Sequence, residues 1–480
     1  MAREYGKVTP SILEKLTEAL GKNRVLADEA SMEPYSWDET GKNFAVMPEV
    51  VVRPGSTEEV QAVMAIAQRH HIPVTMSAAR SGVAGGAVPL RRGIVITTEK
   101  MNRIIEIDEI NRTATVEPGV ITNDLCKVVA ERGFLYAGSP MSTLTSTVGG
   151  NVATNAGGAK GIRYGSTRAH VLGLEAILPG GEVIRLGGKI RKGTWGYDLK
   201  DLIIGSEGTL AVVTKIIVNL EPLPGRTADL LVPFASIDEA VLATSKILSL
   251  GVSLISCEYL DQPSVLLTSR YVNYAYPFQE RAGAFLLVQV EGASEEDLER
   301  DCDRVGNLCY DQGAMEVFVA DNRSDSADIW SVRQNYAEAL RVRDPYFVSG
   351  DVLVPLSEVP AIVKAIGERA EKYDLECVIC GHIGEGNMHP DIFKPDGMSV
   401  KEWEVYAEKF FADLIRVAVD LGGIGSGEHG VGFVKKPFLI ETKGRVEMAL
   451  MERVKGAFDP DWILNPGKIV DDHIQEEGTP

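Results

Sequence analysis

The sequence predicts an α+β protein of two domains, the first built of short strands and helices and the second an α/β unit. Three observations predict this. Strand-like apolar runs alternate with amphipathic stretches from residue 49 onward. Pro222, Pro224 and Gly225 punctuate the end of a strand-like run at 212–220, which marks a domain boundary. Beyond it, longer helical patterns alternate with further strands. The 480 residues suffice for two or three domains of about 150 residues each. With 45% hydrophobic and 24% charged residues the chain can bury a sizeable core, which excludes intrinsic disorder and collagen-like repeats.

Each element follows from local chemistry. Thr9-Pro10 opens a helix that Gly21 stops. Residues 49–53 read as a strand and Pro54-Gly55 as a turn; Ser56 with Glu59 then forms a capping box for a helix to about His70. Strands follow at 74–77, 93–98, 104–107 and 113–116, and a helix at 123–131. Residues 172–178 and 182–185 form a hairpin around Pro179-Gly180-Gly181. In the second unit, helices at 236–250 and 295–312 alternate with strands at 284–290 and 315–319. A strand at 376–380 precedes a long helix, capped by Ser399 and Glu402, that runs to Gly422.

Charge and cysteine usage narrow the function classes. Forty-nine Lys and Arg against 68 Asp and Glu give a net charge of −19, which repels phosphate backbones and disfavours nucleic acid as a partner. Six scattered cysteines make no disulfide framework, and the lone pair Cys377 and Cys380 reads as two small residues on a buried strand. The first residues lack the apolar core of a signal peptide, and no run approaches the ~18 apolar residues of a transmembrane segment. A soluble, cytoplasmic protein is expected.

Two glycine-rich runs stand apart, MSAARSGVAGGAVP at 76–89 and GSPMSTLTSTVGGNVATNAGGAKGIRYG at 138–165. Glycine lets several backbone N–H groups converge on one anion, so both runs suit a phosphorylated ligand. Gly82, Gly85 and Gly86 do not fit the dinucleotide fingerprint, and no Walker A motif is present.

In order along the chain, PEVVVRPGSTEEVQAVMAIA, ARSGVAGGAVP, TVGGNVATNAGGAKGIRYG, GYDLKDLIIGSEGTLAVVTK, GHIGEGNMHP, GSGEHGVG and NPGK resemble FAD-dependent enzymes of the vanillyl-alcohol-oxidase fold. The likeness is strongest to the branch holding glycolate oxidase, D-lactate dehydrogenase and D-2-hydroxyglutarate dehydrogenase. The resemblance implies an FAD-binding domain over 1–225 with its core at about 46–225, a cap or substrate domain over 226–424, and a helical C-terminal segment, 425–480, returning to the flavin. It implies that Ser77, Ala78, Ala79, Arg80, Ser81 and Gly82 wrap the FAD pyrophosphate. Pro140, Gly149, Gly150, Asn155, Gly158 and Gly161 then line the flavin and its ribityl chain, Glu207, Gly208 and Val213 lie near the adenosine end, and Asn465 closes on the flavin. The family loop reads Arg-Gly-Ala-Gly-Thr-Gly where this chain has Ser77 to Gly82, so two glycines are lost and Arg80 stands where it could supply charge. Neither glycine-rich run contains a histidine, so the FAD is expected to be non-covalent.

Of seven histidines, His382, His389 and His429 fall in glycine-rich text. A two-residue hairpin turn at Glu385-Gly386 would put His382 directly opposite His389, close enough to chelate one divalent cation. Spacing alone leaves hydrogen-bonded structural histidines equally open. Glu428 is the best third ligand, and a two-His, one-carboxylate set suits Zn, Mn or Fe. The resemblance supports the metal and implies that His429 acts as base and that Arg333 binds the substrate carboxylate. His70, His71, His170 and His473 are expected to be structural or exposed.

Ala337, Ser349 and Asp391 replace the Thr, Lys and Asn of the D-2-hydroxyglutarate enzymes, which argues for a smaller acid such as D-lactate or glycolate. D-2-hydroxyglutarate oxidation, another FAD-linked alcohol oxidation without the metal, and a flavin-carrying subunit of a larger complex are the rival readings. No iron–sulfur motif is present. Electrons are therefore expected to pass to an electron-transfer flavoprotein, a quinone-linked partner or an iron–sulfur partner, within a homodimer or a hetero-complex.

Overall fold

The structure, a computed structural model, describes residues 3–471. Two compact units emerge. The first gathers the described residues of Met1–Gly157, Ser166–Leu223 and Glu428–Pro480, and the second those of Gly158–Gly165 and Pro224–Gly427.

In the first unit, a four-stranded sheet runs in the order Val25–Leu26, Val50–Val52, Ile94–Thr97, Val74–Ser77. The last three of these are parallel, and parallel strands require crossovers. Helix Thr57–Arg69 is one of them, burying Val60, Val63, Met64 and Ala67 at helical spacing onto the sheet. Ser56 caps it by accepting from Glu59 N at 3.3 Å. The other half of the expected capping box is absent, because the Glu59 carboxylate accepts from Gly55 N at 2.6 Å and pairs with Arg24. A second sheet, antiparallel, has the order Ile104–Asp108, Thr113–Val116, Val212–Asn219, Val171–Ile177, Val183–Gly187.

The C-terminal stretch is locked into this unit. Val74 N donates to Ile463 O and Asn465 N to Val74 O, both at 2.7 Å. Buried Lys455 donates to Thr209 O at 2.6 Å, to Leu464 O at 2.8 Å and to the Asp459 carboxylate, which also accepts from Leu464 N at 2.7 Å. Breaking such a pair strands a buried charge. Asp459→Ala should therefore cost about 3–5 kcal/mol, measurable as a fall in denaturant midpoint; an unchanged midpoint would refute the role given to this pair.

The second unit is built on one eight-stranded sheet. Its order is Phe318–Ala320, Arg226–Phe234, Ala284–Gly292, Leu254–Asp261, Cys377–His382, Asn387–Ile392, Val348–Ser349, and Val352–Leu353 also pairs with Asn387–Ile392. The strand expected at 315–319 is shorter and later, at Phe318–Ala320. Helices Ile237–Ile247 and Val400–Asp420 begin with complete capping boxes, Ser236 with Glu239 and Ser399 with Glu402. Among the described residues no helix is long and apolar enough to cross a membrane.

Candidate active site

The two adjoining strands Cys377–His382 and Asn387–Ile392 carry the paired histidines. The expected register is corrected by the structure. His382 pairs with Asn387 and Cys380 with His389, so the turn occupies residues 383–386 rather than two residues. Gly386 makes this wider turn possible: it sits at φ 83°, and a Cβ there would lie 2.1 Å from the Val354 carbonyl oxygen. Side chains alternate with period two, so a slip of two residues leaves both histidines on one face. Their rings are 5.4 Å apart and perpendicular, with one ligand nitrogen of each within 4.8 Å of the other.

The tautomers follow from their partners. His382 Nδ1 lies 2.8 Å from Glu258 Oε1, and His389 Nδ1 lies 3.3 Å from the Gly350 carbonyl oxygen. An ionised carboxylate and a carbonyl only accept, so both Nδ1 atoms donate, and in the neutral imidazole each Nε2 then carries the lone pair a metal requires. Glu258 is fully buried, and its other oxygen accepts from Arg333 Nε at 2.8 Å. Arg333 lies in helix Arg323–Gln334 and is itself buried.

Around these groups, Asp351 accepts from Asn387 Nδ2 and Ser426 Oγ, each at 2.9 Å. Asp391 lies two residues along the strand from His389, hence on the same face, and accepts from Tyr336 Oη at 2.6 Å. Burial pushes its carboxyl up to about 6. Glu258, Asp351 and Asp391 are thus three buried carboxylates beside one buried guanidinium. Two neutral imidazoles presenting lone pairs among these buried acids fit a divalent cation.

The first unit holds most residues that the resemblance assigns to FAD. The loop from Ser77 to Gly82 follows strand Val74–Ser77 directly. Arg80 adopts φ 60°, a left-handed conformation that costs a non-glycine residue about 1–2 kcal/mol, at a position where the family pattern has glycine. Its guanidinium lies 4.6 Å over the Tyr35 ring and 3.6 Å from Glu99, so its charge is already balanced. Thr147 caps helix Val148–Thr154, which contains Gly149 and Gly150; a Cβ at Gly149 would stand 2.4 Å from Pro118. Asn155 ends that helix in the left-handed region, and its Oδ1 accepts from Ser166 Oγ and Arg168 N. Pro140 and Gly208 lie in loops, Val213 in strand Val212–Asn219. Gly158 and Gly161 belong to the second unit.

Glu207 has backbone partners of its own. Its buried carboxylate accepts from Val431 N at 2.7 Å and Gly432 N at 2.8 Å, and burial raises its pKa. Glu207 therefore braces the turn that follows Glu428 and His429, both in the first unit. Asn465 Nδ2 donates to Gly86 O at 2.9 Å and Glu207 O at 2.8 Å, while among the described residues its buried Oδ1 has no hydrogen-bond partner. Lys468 donates to Gly85 O and Val88 O, and burial depresses its pKa to about 7. A cradle of closely approached glycines with an orphaned buried amide oxygen fits a bound cofactor.

The remaining histidines serve elsewhere. His71 stacks on Tyr5 at 5.6 Å, His70 Nε2 lies 3.3 Å from Lys15 Nζ, His170 packs edge-on against Tyr136, and His473 lies outside the described residues. Glu258 escaped the sequence reading. The signal was an acid inside the apolar strand text LISCEYLD.

Comparison with known proteins agrees with the architecture. Residues 48–187 match the FAD binding domain family, and residues 223–469 match the family of FAD linked oxidases, C-terminal domain. The chain is 37% identical over 466 residues to the glycolate oxidase subunit GlcD of Bacillus subtilis, covering 96% of this chain and 97% of the relative. It is 35% identical over 473 residues to the D-lactate dehydrogenase of Anaerostipes hadrus, covering 97% and 98%. The solved structure of p-cresol methylhydroxylase with substrate bound superimposes with a TM-score of 0.79 at 20% identity, covering 96% of each chain, which shows the vanillyl-alcohol-oxidase-type fold. The chain therefore belongs to the FAD-linked oxidases, as an FAD-binding oxidoreductase of the group whose members include enzymes named glycolate oxidase, D-lactate dehydrogenase and D-2-hydroxyglutarate dehydrogenase.

Proposed function

We propose that this enzyme oxidises a small D-2-hydroxy acid, D-lactate or glycolate, to the 2-oxo acid and hands the electrons to a separate acceptor. The carrying observation is the pair of buried imidazoles whose Nδ1 atoms are both committed as donors, beside an arginine that shares the Glu258 carboxylate with His382. The names of the relatives support the substrate class.

When bound, a non-covalent FAD supplies a hydride acceptor and a Zn, Mn or Fe ion supplies a Lewis acid that acidifies the substrate hydroxyl. His382, His389 and Glu428 would hold the ion. Ser426 and Gly427 pack on Asp351 and Asn387, and Glu428 is the next residue along the chain, which supports it as the third ligand. His429 takes the hydroxyl proton on a ring nitrogen. Arg333 grips the substrate carboxylate through its N–H fork. In this reading 1–225 carries the flavin, with Ser77 to Gly82, Gly149, Gly150, Asn155 and Asn465 on the cofactor. Residues 226–424 bind the acid, and 425–480 return the base and Asn465 to the flavin. The acceptor is an electron-transfer flavoprotein, a quinone-linked partner or an iron–sulfur partner. A relative named as a subunit supports a hetero-complex, and six free cysteines suit a cytoplasmic setting.

A dye-linked assay over D-lactate, L-lactate, glycolate and D-2-hydroxyglutarate tests the reading. D-lactate or glycolate should reduce the dye; no reduction with any of the four overturns this reading. Asp391 bears on the alternative substrate. A buried carboxylate beside the site disfavours a second substrate carboxylate by about 1–2 kcal/mol, roughly tenfold. Asp391→Asn should therefore raise kcat/KM for D-2-hydroxyglutarate relative to D-lactate by about tenfold. An unchanged ratio would remove Asp391 from substrate selection.

A further inference from the structure

We infer that Glu258 is a positioning residue that ties the metal ligand His382 to the substrate clamp Arg333, so that one buried carboxylate sets both. The inference rests on the metal and substrate roles proposed above and adds the residue that couples them.

The topology puts Glu258 there. Strand Leu254–Asp261 runs antiparallel to Cys377–His382, with Tyr259 opposite Gly381 and Leu260 opposite Cys380. Continuing that register by one residue sets Glu258 across from His382. Its neighbours Cys257 and Tyr259 point to the other face of the sheet. Each carboxylate oxygen has its own partner: Oε1 meets His382 Nδ1 and Oε2 meets Arg333 Nε, both at 2.8 Å. All three side chains are buried.

This arrangement does two things at once. A carboxylate on Nδ1 fixes the imidazole tautomer and ring plane and raises the basicity of Nε2, as outer-shell acids do for metal-bound histidines. Gripping Arg333 by Nε fixes the plane of the guanidinium, whose two terminal nitrogens carry the remaining four N–H donors. A buried Arg–Glu pair is weak grounds for a stabilising role. A shared imidazole on the second oxygen gives the acid a purpose that stability alone does not.

Glu258→Gln tests this because the amide cannot serve both partners. With its oxygen toward Arg333, its NH2 faces His382 Nδ1 and forces the proton onto Nε2, which then cannot ligate. With its oxygen toward His382, its NH2 opposes Arg333 Nε–H. The FAD-loaded variant should bind Zn or Mn 10–100-fold more weakly by chelator competition, with a raised KM for D-lactate or glycolate at saturating metal, while flavin absorbance stays near wild type. A folded variant with wild-type metal affinity and wild-type KM overturns the inference alone. A wild-type enzyme that takes up no divalent ion overturns the metal reading instead, and with it the His382 arm. Should the variant not fold, ring-15N NMR of the metal-stripped, FAD-loaded wild type decides: His382 protonated on Nδ1 supports the inference, and protonation on Nε2 overturns it.

Discussion

Replacing His429 by alanine is expected to lower kcat by roughly 10²–10⁴-fold, the range for loss of a general base, while the protein stays yellow. His429 sits between Glu428 and a turn whose Val431 and Gly432 N–H groups are held by Glu207. That brace lies in the backbone, so removing the imidazole should leave the turn and the hydrogen bonds of Asn465 to Gly86 and Glu207 intact. The measurement is steady-state dye reduction with D-lactate or glycolate, alongside the flavin spectrum. KM should move little, because in the proposed mechanism the base acts on the proton and Arg333 on the carboxylate. Normal turnover in His429→Ala would remove the base assignment, and loss of yellow colour would show that the turn, not the proton transfer, was disturbed.

Taking away the proposed metal should be as damaging. A Lewis acid on the substrate hydroxyl contributes several kcal/mol, so chelator treatment should cut kcat/KM by about 10³-fold or more. Stoichiometric Zn, Mn or Fe should restore it. His389→Ala should give the same loss without rescue, since His389 supplies one of two lone pairs on that sheet face. Elemental analysis per flavin is the control. Full activity in protein free of divalent ions would sink the metal role and leave an FAD-linked oxidation in which the histidines only hydrogen-bond.

Much of this was legible in the chain itself, because the signals were local. Ser399 with Glu402 announces a helix start through contacts three residues apart. The same rule overreached at Ser56, where Glu59 found Gly55 N and Arg24 instead. The histidine hairpin was half legible: the shared face survives a slip of two residues, while the register depends on how Gly386 meets Val354, far along the chain.

Residue order alone thus determined the two-part α+β architecture, the two glycine-rich runs and the identities of the paired histidines, since motifs and periodicity are written in neighbouring residues. Tertiary structure decided what those groups touch. Glu258 reaches His382 across 124 residues and Arg333 across 75, and Glu207 reaches Val431 across 224. A buried carboxylate must find donors wherever the fold brings them, and no spacing rule encodes a partner that only strand pairing and chain return put within 3 Å.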